Sequence, residues 1–282
     1  MVTLQTLANC STQVIADAFN TAFSDYLIPI ALTPEQMQDK ITAEDIDLHL
    51  SAGAFSNNKL VGFVLHGYRI IDGKKIVYNA GTGVFPNHRG NRLTARLYQY
   101  IIPILQLKQI DALQLEVITG NAVALKTYQQ VGFSITRSFN CYKGTIAVKT
   151  KPAEYTVEEV EKLDEESLKQ FCDFQPSWQN TFTTVENLKH HHNVLAAFDS
   201  NKIIGYLILN KKTNRIQQVA VHKDYRRKGI ASQLFDVMAK RYTNAVSIIN
   251  IDDSSEATNR FLQSLGLTLF LRQYEMTYLI AI

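Results

Sequence analysis

The sequence has few cysteines, no long apolar run and little net charge, and each of these absences excludes a class of protein. Its three cysteines, Cys10, Cys141 and Cys172, form no Cys-x-x-Cys pair, and their odd number argues against a framework held by disulfides alone. No segment reaches the roughly 18 apolar residues of a membrane span, and the N-terminus, with Asp17 in a broken apolar pattern, is unlike a signal peptide. We therefore predict a cytoplasmic protein with no membrane partner.

Charge and motif content exclude further functions. The net charge of +3 is too small to indicate a nucleic-acid partner, although a mildly basic surface suits an anionic cofactor. No serine lies in a Gly-x-Ser-x-Gly turn, so nucleophilic hydrolysis has no support. His190, His191 and His192 are adjacent, and neighbouring side chains on a helix diverge by about 100 degrees. We expect a solvated helix there and no metal site.

Length and composition indicate two ordinary globular domains. The 282 residues exceed the about 100 to 150 residues of a typical domain, and 46% hydrophobic with 20% charged residues is a normal globular composition. Three landmarks recur in order: residues 60–65 reappear as 203–208, 88–92 as 225–229, and 130–133 as 264–267. The sequence predicts two copies of one unit, residues 1–150 and 151–282, with a seam at 150–153 that contains Pro152.

Each copy alternates strands and helices, which is an α/β pattern. In the first copy, residues 76–84 have the β-branched content of a strand, and Leu93, Leu97 and Ile101 follow at helical spacing. A strand at 113–118 and a short helix before Gly132 come next. The second copy repeats this order with a strand at 217–221, a helix at 230–238, a strand at 246–251 and a helix at 256–265.

The turn at residues 224–231 lies between a strand and a helix and carries the strongest functional signal. A helix start offers unpaired amide donors and the positive end of a dipole, and small residues let a pyrophosphate approach the backbone. Arg226, Gly229 and Ala231 give this turn a pattern that resembles the GCN5-related acetyltransferase (GNAT) superfamily: Arg or Gln, two residues, Gly, one residue, then Gly or Ala. The resemblance implies a CoA-binding turn. The alternative is a solvated basic turn that opens a surface helix.

The first copy departs from this pattern. Its Arg89 occupies the arginine position, but Arg92 and Thr94 stand where the family has small residues. Because Gly90 and Asn91 still permit a tight turn, we expect CoA binding here too, mainly through backbone amides. The cofactor contacts that the resemblance implies are Val84, Arg89, Gly90, Asn91, Arg92, Leu93, Thr94 and Asn121 in the first copy, and Val219, Val221, Arg226, Arg227, Lys228, Gly229, Ile230 and Ala231 in the second.

A candidate catalytic pair lies in the first copy. Acetyl transfer to an amine needs a route out for the amine proton and often a proton donor for the departing thiolate. Glu116 stands in a strand, and the following residues read Asn, two residues, Ala, three residues, Tyr, three residues, Gly-Phe, from Asn121 to Phe133. This resembles GNAT enzymes that acetylate protein and ribosomal-protein N-termini. The resemblance implies Tyr128 as general acid, Glu116 as base and Asn121 as a pantetheine contact; packing under the sheet for Tyr128 and pairing with a lysine for Glu116 are the alternatives.

The second copy lacks this pair. Leu262 stands at the position of the tyrosine and Asn250 at that of the glutamate, and neither side chain can transfer a proton. Tyr274 is a possible substitute acid, and Asp252 or Glu275 a possible base. The second copy therefore has the better cofactor turn, while the first has the better acid and base.

The acceptor is harder to place. In GNAT proteins the loop between the first two helices covers it, and that loop corresponds to residues 24–29 in the first copy and 175–180 in the second. Aromatic, carboxylate and amide groups hold amines by cation–π contacts and hydrogen bonds, so Asp25, Tyr26 and Trp178 are the candidates. That these loops simply fold over the sheet is an equal alternative.

The resemblance implies an α/β (α+β) fold of two tandem GNAT domains, each a mixed, mostly antiparallel sheet flanked by helices, with central strands that splay to admit pantetheine. It implies an N-acetyltransferase that moves acetyl from acetyl-CoA to a primary amine of a small molecule or peptide, by direct attack in a ternary complex. The alternative function is a non-catalytic acyl-CoA-binding sensor or interaction module derived from a transferase pair.

Overall fold

The computed structural model describes residues 2–26, 30–147 and 155–280. The chain forms two compact units. Unit 1 consists of Met1–Thr136 together with Tyr274–Ile282, and unit 2 consists of Arg137–Gln273. The predicted seam at 150–153 lies outside the described residues.

Unit 1 begins with a strand and two helices and continues as a sheet with two more helices. Its elements are β1 (Val2–Thr6), α1 (Thr12–Ala22), α2 (Pro34–Ala43), β2 (Ala52–Ser56), β3 (Lys59–Ile71), β4 (Lys74–Val84), α3 (Leu93–Leu107), β5 (Ala112–Ile118), α4 (Ala122–Val131) and the start of β6 (Ser134–Thr145). Strands β1 to β4 pair antiparallel in order, and β4 pairs parallel with β5. The predicted strands at 76–84 and 113–118 are confirmed as β4 and β5.

Unit 2 repeats this plan with shorter helices at its start. After β6 come β7 (Thr156–Glu159), α5 (Glu165–Leu168), α6 (Phe182–Asn187), β8 (His192–Asp199), β9 (Lys202–Asn210), β10 (Arg215–Val221), α7 (Ile230–Arg241), β11 (Ala245–Asp252), α8 (Glu256–Ser264) and β12 (Thr268–Leu279). Strands β7 to β10 pair antiparallel in order, β10 pairs parallel with β11, and β11 pairs antiparallel with β6. Both units are therefore mixed, mostly antiparallel sheets, as predicted.

Each unit is completed by a strand from the other sequence repeat. The part of β12 from Tyr274 onward belongs to unit 1, where β12 is the neighbour of β5. The part of β6 from Arg137 onward belongs to unit 2, where it pairs with β11. The two compact units therefore do not follow a single division at residue 150. The sequence repeat could not predict this, because it does not reveal which sheet a terminal strand joins.

A hydrophobic core lies between the sheet and the helices that follow β4 or β10. In unit 1, Leu97, Tyr98 and Ile101 of α3 are fully buried against Leu113 and other residues of the sheet. In unit 2, Leu234, Phe235 and Met238 of α7 pack against Leu207 and Ile216. Burial of this many apolar side chains, at about 1.5 to 3 kcal/mol each, is the main contribution to the stability of either unit.

The prediction of a solvated helix at the three consecutive histidines is wrong. Lys189–His191 form a short 3-10 turn, the His191 side chain is buried, and β8 begins at His192. Among the described residues, no group of three or more His, Cys, Asp or Glu side chains could hold a metal ion. No helix in the described part of the chain is long and apolar enough to cross a membrane.

Candidate active site

A gap opens between two parallel strands of unit 1. The β4–β5 ladder runs from Ile76 to Tyr78, where Tyr78 pairs with Gln114, and in the described residues no further pairs follow it. Just beyond, β4 carries a bulge: Leu65 pairs with Gly81 and His66 pairs with Asn79, which leaves Ala80 as the extra residue. A bulge bends a strand and interrupts its pairing. The two strands therefore diverge toward their C-terminal ends, as predicted.

Unit 2 has the same combination of a short parallel ladder and a bulge. Strand β10 pairs with β11 only at Arg215 and Ile216 in the described residues. Its bulge leaves Gln217 as the extra residue between the partners of β9. The bulges at Ala80 and Gln217 are separated by 137 positions, the same offset as between Arg89 and Arg226 in the following turns. Repeated bulges at equivalent positions are designed features of a fold and not defects.

Each splayed strand leads through a tight turn into a helix whose first amides are uncapped by side chains. Helices α1, α2, α4 and α6 all have a side-chain oxygen that accepts a hydrogen bond from the first turn, whereas α3 and α7, like α5 and α8, have none. The residues before α3 and α7, Arg92 and Gly229, are left-handed with φ of 52° and 82°. A Cβ atom added to Gly229 would meet nothing within 4 Å. These amides and the positive dipole end suit an anionic group.

Arg89 and Arg226, the arginines of the turns before α3 and α7, make equivalent contacts in the two units. In unit 1, Arg89 Nε donates to Val84 O at 3.1 Å, and its Nη2 donates to Ala22 O at 2.9 Å and to the carboxylate of Asp25. The second nitrogen, Nη1, also bonds to Asp25 at 2.7 Å, so the pair is bidentate. A planar guanidinium is suited to such a fork. The Arg89 side chain therefore ties the end of β4 to the segment after α1.

In unit 2, Arg226 repeats these contacts. Its Nε donates to Val221 O at 3.1 Å, its Nη2 donates to Phe171 O at 3.0 Å, and its Nη1 lies 2.6 Å from Asp173. The sequence identified both arginines as cofactor contacts. Their guanidinium groups bond to the protein, and their backbone amides donate to Pro86 O and Lys223 O at 3.2 and 3.3 Å, so the amides left for a phosphate are those that begin α3 and α7.

The other predicted cofactor residues fall into three groups by burial. Those that are partly buried are Val84, Thr94, Asn121, Val219, Val221 and Ala231. Leu93 and Ile230 are buried in the cores, so only their amides face the turn. The exposed residues are Gly90, Asn91, Arg92, Arg227, Lys228 and Gly229. Among them, the Lys228 ammonium lies 4.8 Å from the centre of the Tyr225 ring, a cation–π contact beside the uncapped helix start.

Glu116 lies on β5 beside the gap, with its carboxylate hydrogen-bonded by the hydroxyl of Tyr78 on β4. The pKa of Glu116 is raised to about 8, mainly by burial and also by the neighbouring charges of Glu275 and Glu44, whereas the Tyr78 hydrogen bond and the charge of Lys40 act to lower it. Lys40 and Glu44 of α2 form an ion pair with a separation of 2.6 Å. A carboxyl group with a pKa near neutrality is a suitable general base.

Tyr128 lies on α4 and is almost fully buried. Its hydroxyl accepts a hydrogen bond of 3.4 Å from the Asn79 amide, which also donates to Tyr98 at 2.9 Å and to Thr82 at 2.8 Å. Burial raises the pKa of Tyr128, so the phenol stays protonated at neutral pH. Its ring packs edge-on against Tyr98 and Phe133. The burial of the Tyr128 ring is therefore compatible with a role of its hydroxyl as an acid.

Glu116 and Tyr128 lie on opposite faces of the sheet. Leu115 and Val117 belong to the core cluster that also contains Tyr128. Because side chains alternate along a strand, Glu116 points to the other face, on the side of α2. We call this the α2 face. The gap between β4 and β5 therefore has a phenol on one side and a carboxyl group on the other.

The candidate acceptor residues of unit 1 have partners within the unit. Asp25 binds Arg89, which lowers the pKa of the Asp25 carboxyl. The Tyr26 hydroxyl accepts a hydrogen bond of 3.3 Å from Asn121 Nδ2, while Asn121 Oδ1 caps α4 by accepting from the Ala124 amide. The rest of the predicted loop, 27–29, lies outside the described residues. Tyr26 is thus connected to the start of α4, next to the gap.

Comparison with known proteins agrees with this geometry. Residues 15–133 match the family model described as the acetyltransferase (GNAT) family, and residues 153–270 match the acetyltransferase (GNAT) domain. A GCN5-related N-acetyltransferase from Sphaerobacter thermophilus is 18% identical, with a TM-score of 0.75 over 100% of this chain and 96% of that one. A tandem GNAT protein from the clavulanic acid biosynthesis pathway is 13% identical, with a TM-score of 0.74 over 100% and 99%.

The chain belongs to the GNAT superfamily, as a tandem protein. The predicted family and fold are confirmed, and the family matches indicate an acetyltransferase, a class that generally uses acyl-CoA. No curated protein matches the sequence at a significant level.

The second GNAT unit has no acid and base at the equivalent places. Leu262 is fully buried in the core. Asn250 is buried; its Nδ2 donates to Ser177 Oγ at 3.1 Å and its Oδ1 accepts from Gln273 Nε2 at 2.6 Å. These groups carry no titratable proton near neutral pH.

Three predictions for the second unit need correction. Trp178 is buried with only 4% of its surface exposed, so it is a core residue and presents no ring to an acceptor. Tyr274 and Glu275 belong to unit 1, where Glu275 acts on Glu116, so neither can replace the missing acid or base of unit 2. Asp252 remains in unit 2, where its carboxylate accepts from the amide and hydroxyl of Ser254 at 3.0 and 2.6 Å.

Several residues of the unit 1 site were not identified from the sequence. Tyr78 and Asn79 contact the candidate base and acid, and a signal existed, because they precede the glycines of the splayed strand. For Glu44 no sequence signal existed, and Glu275 was singled out only as a possible base of the second copy. Glu275 in particular lies in the second repeat and reaches unit 1 only through the exchanged strand.

Proposed function

We propose that unit 1 is an N-acetyltransferase that moves an acetyl group from acetyl-CoA to a primary amine by direct attack, with Glu116 as the base and Tyr128 as the acid. The observation that carries this proposal is the arrangement around the gap: a carboxyl group with a pKa near 8 on the α2 face and a buried phenol on the opposite face. The two proton transfers of the reaction then take place on opposite sides of the thioester.

The cofactor would be bound by the uncapped start of α3. Its diphosphate would accept hydrogen bonds from the amides that follow Arg92, and Gly90 keeps the turn open. Pantetheine would enter between β4 and β5, past Val84 and Asn121. Where these strands are no longer paired, their backbone N–H and C=O groups are free to form hydrogen bonds with the pantetheine amides. In unit 2, Val219, Val221 and the turn from Arg226 to Ala231 would bind CoA in the same way.

Glu116 would take the proton of the attacking amine. An amine is a nucleophile only when neutral, and a base with a pKa of about 8 is matched to an ammonium group near neutral pH. The Tyr78 hydroxyl stabilises the ionised carboxylate, which keeps part of the population competent as a base. Glu275 adds negative charge near Glu116, whereas the charge of Glu44 is balanced by its ion pair with Lys40, so a cationic acceptor would be favoured beside Glu275.

Tyr128 would donate its proton to the departing thiolate. Because burial raises its pKa, the hydroxyl is protonated before the reaction. The Asn79 amide donates to the same oxygen and stabilises the phenolate that forms. The amine attacks the thioester directly in a ternary complex, so no acyl-enzyme is required.

A second candidate function is a non-catalytic acyl-CoA sensor or interaction module. The buried Leu262 and the neutral Asn250 of unit 2 favour it, whereas Glu116 and Tyr128 of unit 1 oppose it. The deciding experiment measures thiol release from acetyl-CoA with pooled primary amines. We expect release by the parent and a loss of about 10²-fold or more in Tyr128→Phe and Glu116→Gln. Absence of release by the parent, together with tight CoA binding by calorimetry, would establish the sensor instead.

A further inference from the structure

Unit 2 contains a cleft at its splayed strands β10 and β11. Its walls are Val219 to Val221 of β10, Ile248 and Ile251 of β11, and Thr258 of α8. The cleft is also lined by residues 171–174, Pro176 and Tyr206, and by Asn180 of the short turn Trp178–Asn180 that precedes α6. A pantetheine arm that followed the cleft would therefore meet this turn at its thioester end.

The turn Trp178–Asn180 is hydrogen-bonded to both splayed strands. Asn180 Nδ2 donates to Ile249 O of β11 at 2.8 Å, and Gln218 Nε2 of β10 donates to Asn180 O at 2.6 Å. Gln218 is itself held by the Tyr206 hydroxyl, which donates to its Oε1 at 2.9 Å. These side chains are all buried. The turn thus bridges the gap at the place where an acceptor amine would have to enter.

Two buried side-chain oxygens at this cleft have no hydrogen-bond partner, Asn180 Oδ1 and Gln217 Oε1. Both residues line the cleft, and Asn180 is only 5% exposed. An unsatisfied buried acceptor costs about 1 to 3 kcal/mol. A ligand that presents amide N–H donors along an otherwise apolar chain would satisfy such oxygens, and the pantetheine arm of CoA has this chemistry.

Unit 1 lacks the closing device. By strand register, Gly81 occupies the position of Gln218, because Gly81 pairs with Leu65 and Gln218 pairs with the equivalent Ile208. Phe63 likewise takes the position of Tyr206, opposite Gly83 and Ala220 respectively. The hydrogen-bonded chain that holds the turn in unit 2 has no counterpart at these positions.

We propose that unit 2 holds acyl-CoA in this cleft without transferring its acyl group, with Asn180 closing the cleft to acceptors and accepting a hydrogen bond from a pantetheine amide. This rests on the proposed function, in which the turn before α7 binds the CoA diphosphate. The absence of a proton-transferring side chain at Leu262 and Asn250 agrees with a bound cofactor that is not consumed. Occupancy of unit 2 would then report the acyl-CoA supply independently of turnover in unit 1.

The test follows the fate of labelled acetyl-CoA bound to the full chain. The Glu116→Gln, Tyr128→Phe double variant is loaded with [¹⁴C-acetyl]-CoA, separated rapidly from free ligand and treated with hydroxylamine. Hydroxylamine nitrogen attacks the thioester carbonyl, the C–S bond breaks and the proton passes to the thiolate, which gives acetohydroxamate and CoA. We expect one equivalent per chain to react at least about tenfold more slowly than free acetyl-CoA, because the closed cleft excludes the nucleophile.

Three further variants in this background assign the protected equivalent. Gly229→Glu should remove it by blocking the turn of unit 2. Gln218→Gly, which copies Gly81 of unit 1, should leave it bound but restore its reactivity to within about threefold of the free thioester. Asn180→Leu keeps the volume of the side chain but removes its amide group, and should weaken CoA binding to unit 2 by about 3- to 10-fold. Circular dichroism and thermal unfolding check that each variant is folded.

The outcomes separate the two proposals. Two bound equivalents that both react as fast as free acetyl-CoA overturn the closed cleft while leaving CoA binding intact. A single bound equivalent that Gly229→Glu does not reduce overturns CoA binding by unit 2, and with it the proposed function of its turn. Protection that survives Gln218→Gly unchanged shows that the bridged turn is not the cause, and also overturns the inference.

Discussion

The Tyr78 hydroxyl donates a hydrogen bond to the Glu116 carboxylate across the two strands that diverge to form the gap of unit 1. The bond joins the last paired position of β4 to a residue just beyond the paired part of β5. It stabilises the ionised carboxylate, whereas burial and the nearby charges of Glu275 and Glu44 favour the protonated one. The balance between these effects sets the pH range in which Glu116 can act as a base.

We predict that kcat/KM of acetyl transfer rises with pH along a limb whose apparent pKa lies near 8, because the base must be ionised. Tyr78→Phe removes a bond to the charged form, so the pKa of Glu116 rises and the limb moves to higher pH by about one unit. Tyr128→Phe is the control: it should lower the rate without moving this limb. An unmoved limb in Tyr78→Phe would mean that Glu116 is not the titrating base. The acceptor amine is kept the same throughout.

The same carboxyl group should make stability depend on pH. The pKa of Glu116 is about 8 in the folded chain against 4.5 ordinarily, so the native state binds more protons between these values. Its contribution is fully present below about pH 4.5 and is lost as pH rises toward 8. Glu116→Gln has no charge to bury, so its melting temperature should exceed that of the parent by a few degrees at pH 8 and much less at pH 5. A constant difference across this range would contradict a raised pKa.

The roles of Arg89 and Asp25 can be separated by substitution. Arg89→Lys cannot form the bidentate pair or bond to Val84 O and Ala22 O at once, so the turn before α3 loosens. We expect KM for acetyl-CoA to rise about 3- to 10-fold with a smaller change in kcat. Because this pair is half exposed and screened by solvent, its loss should change the free energy of unfolding little.

Asp25→Asn provides the matched variant. Arg89 retains two backbone acceptors, so KM for acetyl-CoA should rise less than in Arg89→Lys. Steady-state kinetics with both substrates varied provide the measurement. If Asp25→Asn instead raises KM for the amine alone, Asp25 contacts the acceptor, as the sequence-based hypothesis holds, and its bond to Arg89 is secondary.

The fold of each unit was predictable because it depends on local patterns. The β-branched strand at 76–84, the helical spacing of Leu97 and Ile101 and the turn at 224–231 all specify neighbours in the chain. The roles of Arg89 and Arg226 were not predictable, since an arginine beside a helix start has the same sequence signature whether it binds phosphate or a carbonyl. The burial of Trp178 was hidden for a similar reason: a loop position does not reveal whether the loop folds inward.

The exchange of end strands was also hidden, because two similar sheets accept either terminal strand with the same pattern of alternation. It leads to the last prediction: residues 1–150 alone should not fold into a stable unit. They lack β12, so the core of unit 1 loses Met276, which is fully buried, and Ile280, and Phe133 loses its neighbour Tyr278. Removal of such side chains costs about 2 to 5 kcal/mol each, which is comparable to the whole stability of a domain.

A rewired chain tests whether the missing strand is the cause. Within unit 1, Thr136 Oγ1 lies 3.3 Å from Glu275 O, and Ser134 Oγ lies 3.4 Å from Thr277 O, so the start of β6 and the end of β12 run side by side. A loop of about four Gly and Asn residues should therefore join Thr136 to Tyr274 as a hairpin. We expect cooperative thermal unfolding for 1–136–loop–274–282, and none for 1–150 or for a control with residues 274–282 scrambled. Cooperative unfolding of 1–150 would show that β12 contributes little to unit 1, and would restore the division at residue 150.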